Sequence, residues 1–245
     1  MMDTTLLDNP AWSALTTVHA PFAQGAQEAK RYLPEVLPFV GFSVAGNANG
    51  PNPSAAAAGP DPVVAASEAL DPFIAAGETF FIIGSRPPLP AHWTVELELP
   101  CAQLLAPENL HCMPQPTEEI TLLHDSDKAE MYTLINSIQP GYYHPGTPQL
   151  GDYCGIRRDG RLIAMAGERM RITGFSELSA ICTHPDYIGH GYAQQLIAWL
   201  CRRQHAAGIT SFLHVSLGNE RALRLYIHLG FRHRREIVFT RLRKT

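Results

Sequence analysis

The residues best placed to do chemistry lie in one stretch, Ile181-Cys182-Thr183-His184-Pro185-Asp186-Tyr187-Ile188-Gly189-His190-Gly191-Tyr192-Ala193. A short apolar strand runs into a proline, a turn with two glycines follows, and an amphipathic helix begins. The first N–H groups of a helix have no intrahelical acceptor, and the helix dipole favours negative charge there. This order of elements therefore makes an anion cradle, and the expected anion is a pyrophosphate. A dinucleotide fold would want G-x-G-x-x-G, but Gln194 stands at the third position. No acidic residue closes a following strand at the right distance either. A phosphate-binding NTPase loop would need a Gly-Lys-Ser/Thr that does not follow.

The elements that must position this loop are legible from residue 118 onward. Residues 120–123 read as a short strand. Asp125 or Ser126 can cap a helix over 127–137, which Pro140-Gly141 stops. Asp159-Gly160 between two alternating runs, 153–157 and 161–169, predicts a hairpin. Residues 177–183 form the strand feeding the loop. Ala193, Leu196, Ile197, Leu200 and Cys201 recur at helical spacing over 193–205. A strand over 212–216, a helix over 220–229 capped by Asn219, and a last strand over 231–242 complete the order. Paired hairpin strands plus a strand–helix–strand crossover predict an α+β fold. Its mixed, mostly antiparallel central sheet would be flanked by helices.

The first half carries no motif of chemistry. Residues 12–32 read as a weak helix stopped by Pro34. Residues 43–63, rich in Ala, Gly and Pro, read as a loop or linker. Residues 62–75 suit one or two short helices, and 79–84 and 93–99 read as strands, the latter ended by Pro100.

Two motifs in order carry a resemblance. The loop Ile188-Gly189-His190-Gly191-Tyr192-Ala193 resembles the Gln/Arg-x-x-Gly-x-Gly/Ala loop of the GNAT superfamily of acyl-CoA-dependent N-acyltransferases. Asn219-Glu220-Arg221-Ala222-Leu223-Arg224-Leu225-Tyr226-Ile227-His228-Leu229-Gly230-Phe231 is similar to that family's Asn-x-x-Ala-x-x-Leu-Tyr-x-x-Leu-Gly-Phe. Gly191 and Ala193 match the loop. Ile188 replaces the usual Gln/Arg, removing a side-chain contact but not the backbone donors. The resemblance covers about residues 118–242 and looks like the glycine-N-acyltransferase-like branch. It implies a GNAT-type fold, a catalytic acyl-CoA-binding domain over 116–245, and a region 1–115 that could be a degenerate copy of the same fold.

The resemblance also implies roles. Ile181, Cys182 and Thr183 would pair with the pantetheine arm like an added strand. Ile188, Gly189, His190, Gly191, Tyr192, Ala193 and Gln194 would hold the pyrophosphate, and Asn219 would bond the arm. Tyr226 would line the acyl-CoA site and protonate the departing thiolate. Glu177, placed by strand alternation on the face of Ser179, Ile181 and Thr183, would be the base, through water. A salt-bridged strand-end carboxylate, with Arg169 or Arg171, is the competing role. Tyr142, Tyr143, His144 and His214 are candidate acceptor contacts, and His184 a turn stabiliser. The implied reaction moves an acyl group, most readily acetyl, from acyl-CoA to a primary amine in a ternary complex, with no metal. A non-catalytic acyl-CoA-binding module of the same fold is the alternative.

Composition bounds the partners. The chain has 245 residues and a formal charge of −4, and no basic stripe with interleaved aromatics, so nucleic acid is not expected. The Arg-rich end (Arg232, Arg234, Arg235, Arg241, Arg243, Lys244) alternates with apolar residues and reads as the solvated face of a strand. Five scattered cysteines without CxxC spacing argue against zinc and disulfides, and read as small buried hydrophobes in a reducing compartment. No signal peptide or membrane span is visible, so a cytoplasmic protein is expected. A small amine or amino-acid acceptor is expected rather than a protein; monomer and homodimer stay open.

Overall fold

The computed structural model describes residues 3–43 and 62–245, with the side chains of 62–65 excepted. In chain order the helices and strands are α1 (Pro10–Leu15), β1 (Ala23–Gly25), β2 (Ala29–Tyr32), β3 (Phe39–Phe42), α2 (Pro62–Leu70), β4 (Thr79–Ile83) and β5 (Trp93–Leu105). There follow β6 (Thr121–Leu123), α3 (Lys128–Ile138), β7 (Tyr153–Arg158), β8 (Arg161–Ile172), β9 (Phe175–Thr183), α4 (Tyr192–Ala206), β10 (Thr210–Ser216), α5 (Glu220–His228) and β11 (Arg232–Lys244). No described helix is long and apolar enough to cross a membrane. Most of the linker read over 43–63 lies outside the described residues.

The chain divides into two compact units. The first holds Met1–Pro34, Pro38–Pro100 and Ile237–Thr245; the second holds Glu35–Leu37 and Cys101–Glu236. This division differs from a cut at residue 115: the boundary falls inside β5, and the C-terminal end of β11 belongs to the first unit. Pro100 does not end β5, because a proline in a strand forfeits only one donor and is tolerated where no ladder partner needs it.

In the first unit β3 pairs parallel with β4, Phe39 opposite Phe81, and β4 pairs antiparallel with β11, Phe239 opposite Ile83. Val40, Phe42, Leu70, Phe80, Ile82, Trp93 and Leu242 form its core. The expected helix over 12–32 is only α1. Past Leu15 the chain turns through Thr16, Thr17 and Val18, and Gly25 (φ +132°) then links two short strands, a conformation no helix accepts. On β11, Ile237, Phe239, Thr240 and Leu242 are buried and Arg232, Arg235 and Arg243 are exposed, but Arg234, Arg241 and Lys244 are half-buried, so the expected solvated face is met only in part.

In the second unit the strand order is β5-β10-β9-β8-β7-β6. Only β10 and β9 run parallel, joined by α4; the pairs β6–β7, β7–β8, β8–β9 and β5–β10 are antiparallel. The Asp159-Gly160 turn has φ of +50° and +76°, the left-handed pair a two-residue hairpin requires. One sheet face packs on α4 and α5 through Ile163, Ala166, Leu178, Leu196, Leu200, Leu213 and Val215. The other packs on α3 through Leu123, Met131, Leu134, Ile135, Tyr143, Tyr153 and Cys182. Four cysteines are buried as expected; Cys112 is exposed.

Candidate active site

Three features of the second unit converge on one cleft. The first is a gap in the sheet. The β9–β10 ladder runs only from Phe175 opposite Thr210 to Glu177 opposite Phe212. Beyond it β9 continues to Thr183 against β8, and β10 to Ser216 against β5. The strands splay, leaving the facing edges available to an extended ligand.

The second is the glycine loop. Gly189 and Gly191 have φ of +94° and +73°, and a Cβ on either would meet nothing within 4 Å. They are glycines for backbone conformation, not for lack of space. Gly191 is the N-cap of the 15-residue helix α4, with no side chain capping it. The first N–H groups of α4 are thus left for a ligand. The third is α5, whose N-cap Asn219 accepts from Ala222 N at 3.1 Å.

The cleft is about 680 Å³ and is lined by Ile181, Cys182, Thr183, Ile188, Gly189, Gly191, Tyr192, Ala193, Gln194, Asn219 and Tyr226. Of the residues expected to bind the co-substrate, only His190 stays out of the lining. Its ring stacks on Tyr192 at 5.5 Å and its Nδ1 donates to Tyr187 O. Tyr226 is buried, and burial pushes its phenol up to about 12, so it holds its proton through the neutral range. Arg221, Arg224 and His228 also line the cleft. Sequence reasoning missed them; their mutual spacing of three and four residues puts them on one face of α5, a signal that was readable.

Glu177 lies elsewhere. Two β9 residues, Ala180 and Ile181, stand between Ser179 (opposite Gly167) and Cys182 (opposite Met165), where β8 has one. Ala180 adopts φ +50° at this bulge. Alternation is reset: Leu178 and Ile181 both pack on the α4 face, while Cys182 joins the α3 face. The expectation that Glu177 shares a face with Ile181 and Thr183 is therefore corrected. It lies on the α3 face, fully buried, where Arg169 Nε and Nη2 donate to its two oxygens at 2.8 and 2.6 Å. Burial raises its carboxyl pKa, but Arg169 and His214 outweigh that and hold it down at about 2. Such a carboxylate is a weak base at neutral pH, and the competing salt-bridge role is the one it has.

His214, on β10, meets Glu177 directly: its Nδ1 lies 2.7 Å from Glu177 Oε1. Tyr143 belongs to this same face, its ring 5.9 Å from that of Tyr153. Both phenols are buried, and neither oxygen has a hydrogen-bond partner among the described residues. Tyr142 and His144 are partly exposed in the covering loop, where His144 N donates to Thr147 Oγ1. None of these four lines the cleft. His184 caps the short turn Pro185–Tyr187, accepting from Asp186 N at 3.3 Å.

Comparison with known proteins follows the same lines. A family model described as FR47-like protein matches residues 153–240. A solved structure from Novosphingobium aromaticivorans, assigned to the acetyltransferases of the GNAT family, is 30% identical over 98% of each chain, with a TM-score of 0.82. The chain belongs to the GNAT family. A GCN5-related N-acetyltransferase from Kribbella flavida shares the fold at 15% identity, with a TM-score of 0.62 over 95% of this chain and 94% of that one. No curated protein matches the chain. As a GNAT protein the chain is expected to bind acyl-CoA, and the cleft suits it: uncapped helix N–H groups and cations for phosphates, open strand edges for amides, and a phenol proton donor.

Proposed function

We propose that this GNAT protein transfers an acyl group, acetyl foremost, from acyl-CoA to a primary amine by direct attack in a ternary complex. One observation carries the reading: the splayed end of β9, the uncapped glycine loop, Asn219 and the Tyr226 phenol line a single cleft. In this reading the loop N–H groups and the N-terminus of α4 hold the pyrophosphate. Arg221 supplies the side-chain cation that Ile188 does not. Arg224 is tied to Glu220 at 2.9 Å and contributes less.

The departing thiolate takes its proton from Tyr226, a neutral acid at working pH. The acceptor in this reading is a small amine or amino acid. The resemblance to the glycine-N-acyltransferase-like branch favours the latter. The first unit is read as a reduced copy of the fold, because its parallel pair β3–β4 is joined across α2 as β9–β10 is joined across α4.

The test is calorimetry with acetyl-CoA, coupled to a thiol-release screen over amines and amino acids. Micromolar binding with release for one acceptor class is expected. Binding without release across a broad panel would replace the enzyme by an acyl-CoA-binding module. Failure to bind any acyl-CoA would sink both.

A further inference from the structure

Arg157 and Arg161 flank the turn between β7 and β8, and the fold treats them differently. Arg157 is held by two carboxylates, Asp127 Oδ1 and Glu130 Oε2, each at 2.7 Å. Arg161 reaches no carboxylate among the described residues. Its Nη2 lies 2.8 Å from His184 Nε2 instead. Both side chains line a second cavity of the same unit, about 360 Å³, which shares no lining residue with the acyl-CoA cleft. It lies beside that cleft: His184 follows Thr183 in the chain, and Ser137 precedes Ile138.

A guanidinium facing an imidazole leaves a proton without an acceptor. His184 Nδ1 accepts from Asp186 N as the cap of its turn, so the ring proton is on Nε2. A guanidinium can only donate, so Nε2–H and Nη2–H point at one another. The Asp186 carboxylate serves the other edge of the ring, its Oδ2 3.6 Å from Nδ1. Neither Nε2–H nor Nη2–H has an acceptor among the described residues. An oxyanion between them would accept from both, in the charge-assisted geometry that a guanidinium fork favours.

The remaining walls set the polarity of the cavity. Ala129, Thr133 and Ser137 recur every four residues along α3 and form one side. Thr133 Oγ1 donates to Ala129 O and Ser137 Oγ to Leu134 O, both at 2.8 Å, so neither hydroxyl has a hydrogen left for an anion. Glu130 also lines the cavity, but its oxygens accept from Arg157 and from Leu162 N at 3.3 Å. Leu134 and Leu162, both buried, supply the apolar lining. Negative charge is therefore stabilised only at the Arg161–His184 end, and hydrocarbon along Leu134 and Leu162.

We propose that this cavity is a binding site for a small aliphatic carboxylate. The carboxylate oxygens accept from the Arg161 guanidinium and from His184 Nε2–H, and the hydrocarbon packs on Leu134 and Leu162. The site goes beyond the acyltransferase reading and does not depend on it.

The test is a titration of nitrogen-15-labelled protein with isovalerate, followed by amide shifts in NMR. Saturable shifts are expected at Thr133, Leu162 and His184, with a dissociation constant on the order of 1 mM for so small a ligand. Isovaleramide, of the same shape without the charge, is expected to bind about tenfold more weakly or worse. Arg161→Gln keeps a donor but removes the charge, and is expected to weaken isovalerate by about tenfold. Ala129→Leu keeps every charge and fills the cavity from an exposed helix position, and is expected to abolish binding. Neither residue lines the cleft, so both variants should hold acetyl-CoA within a factor of two of wild type. Side-chain nitrogen-15 spectra are expected to show His184 with a bare Nδ1 and a protonated Nε2. Equal affinity for isovalerate and isovaleramide overturns the proposal, as does wild-type isovalerate binding in Arg161→Gln. So does inorganic phosphate binding more tightly than isovalerate, or a His184 with a bare Nε2. Shifts confined to Ile181, Thr183 and Gly191, or no saturable shift at all, also overturn it. None of these outcomes bears on acyl-CoA binding or thiol release, which test the acyltransferase reading separately.

Discussion

Arg169 and Glu177 form a two-point ion pair, Nε to Oε2 at 2.8 Å and Nη2 to Oε1 at 2.6 Å, across β8 and β9 where the sheet begins to splay. The carboxylate is fully buried and the guanidinium nearly so. Burying two charges is costly, and the pair is stable because each supplies what the other lost from water. Removing one partner is therefore worse than never having had either. Glu177→Ala should destabilise the second unit by about 3–5 kcal/mol, read by denaturant melts at pH 7. An effect below 1 kcal/mol would mean that the pair is solvated in solution.

The same pair makes stability depend on acid. The Glu177 carboxyl is depressed from 4.5 to about 2, so it binds fewer protons folded than unfolded at intermediate pH. Its contribution is complete above pH 4.5 and is lost as pH falls through that value towards 2. A shift of this size corresponds to about 3 kcal/mol. Unfolding free energies measured between pH 6 and 2.5 should fall more steeply in wild type than in Glu177→Gln. Parallel curves would remove Glu177 as the source.

Tyr226 tests the acid role. Tyr226→Phe keeps the ring, which packs edge-on against Phe231 at 5.8 Å, and deletes only the hydroxyl. We expect kcat to fall by about 100-fold or more, with acetyl-CoA affinity changed less than twofold. Unchanged turnover would return Tyr226 to a packing role.

Two glycines should fail for different reasons. Gly191→Ala meets no atom within 4 Å but must hold φ +73°, at a cost of about 1–2 kcal/mol. Gly167→Ala has no such strain, yet its Cβ would sit 2.2 Å from the Tyr153 ring, which lies flat over that strand. We expect Gly191→Ala to fold and to bind CoA several-fold more weakly, and Gly167→Ala to lose stability with Tyr153 displaced. Equal melting points for the two would contradict the distinction.

Arg221 gives a salt-dependent prediction. Arg221→Ala should weaken CoA binding several-fold at low salt and flatten its ionic-strength dependence, because exposed charge contacts are screened. Arg224→Ala, whose side chain is already paired with Glu220, should do less. Identical behaviour of the two variants would argue against a specific phosphate contact.

Local rules sufficed wherever a few neighbouring residues set the outcome. The Asp159-Gly160 hairpin, the helical stripe from Ala193 to Cys201, the Asn219 cap and the glycine loop are all decided by backbone preference, periodicity and unpaired N–H groups. The structure has each of them within two residues of the sequence reading. The weak first half was less legible, since a helix over 12–32 was only a propensity and Gly25 overrode it. The face of Glu177 could not be read locally. One bulge at Ala180 reverses alternation for everything after it, and a bulge is set by how β8 and β9 register against each other. Glu177 meets Arg169 of β8 and His214 of β10, and His214 also meets Gln103 of β5, pairs separated in sequence by 8 to 111 residues. The residue types that could carry a proton were visible in the chain. Which of them holds one depends on charges that only folding brings within hydrogen-bond distance.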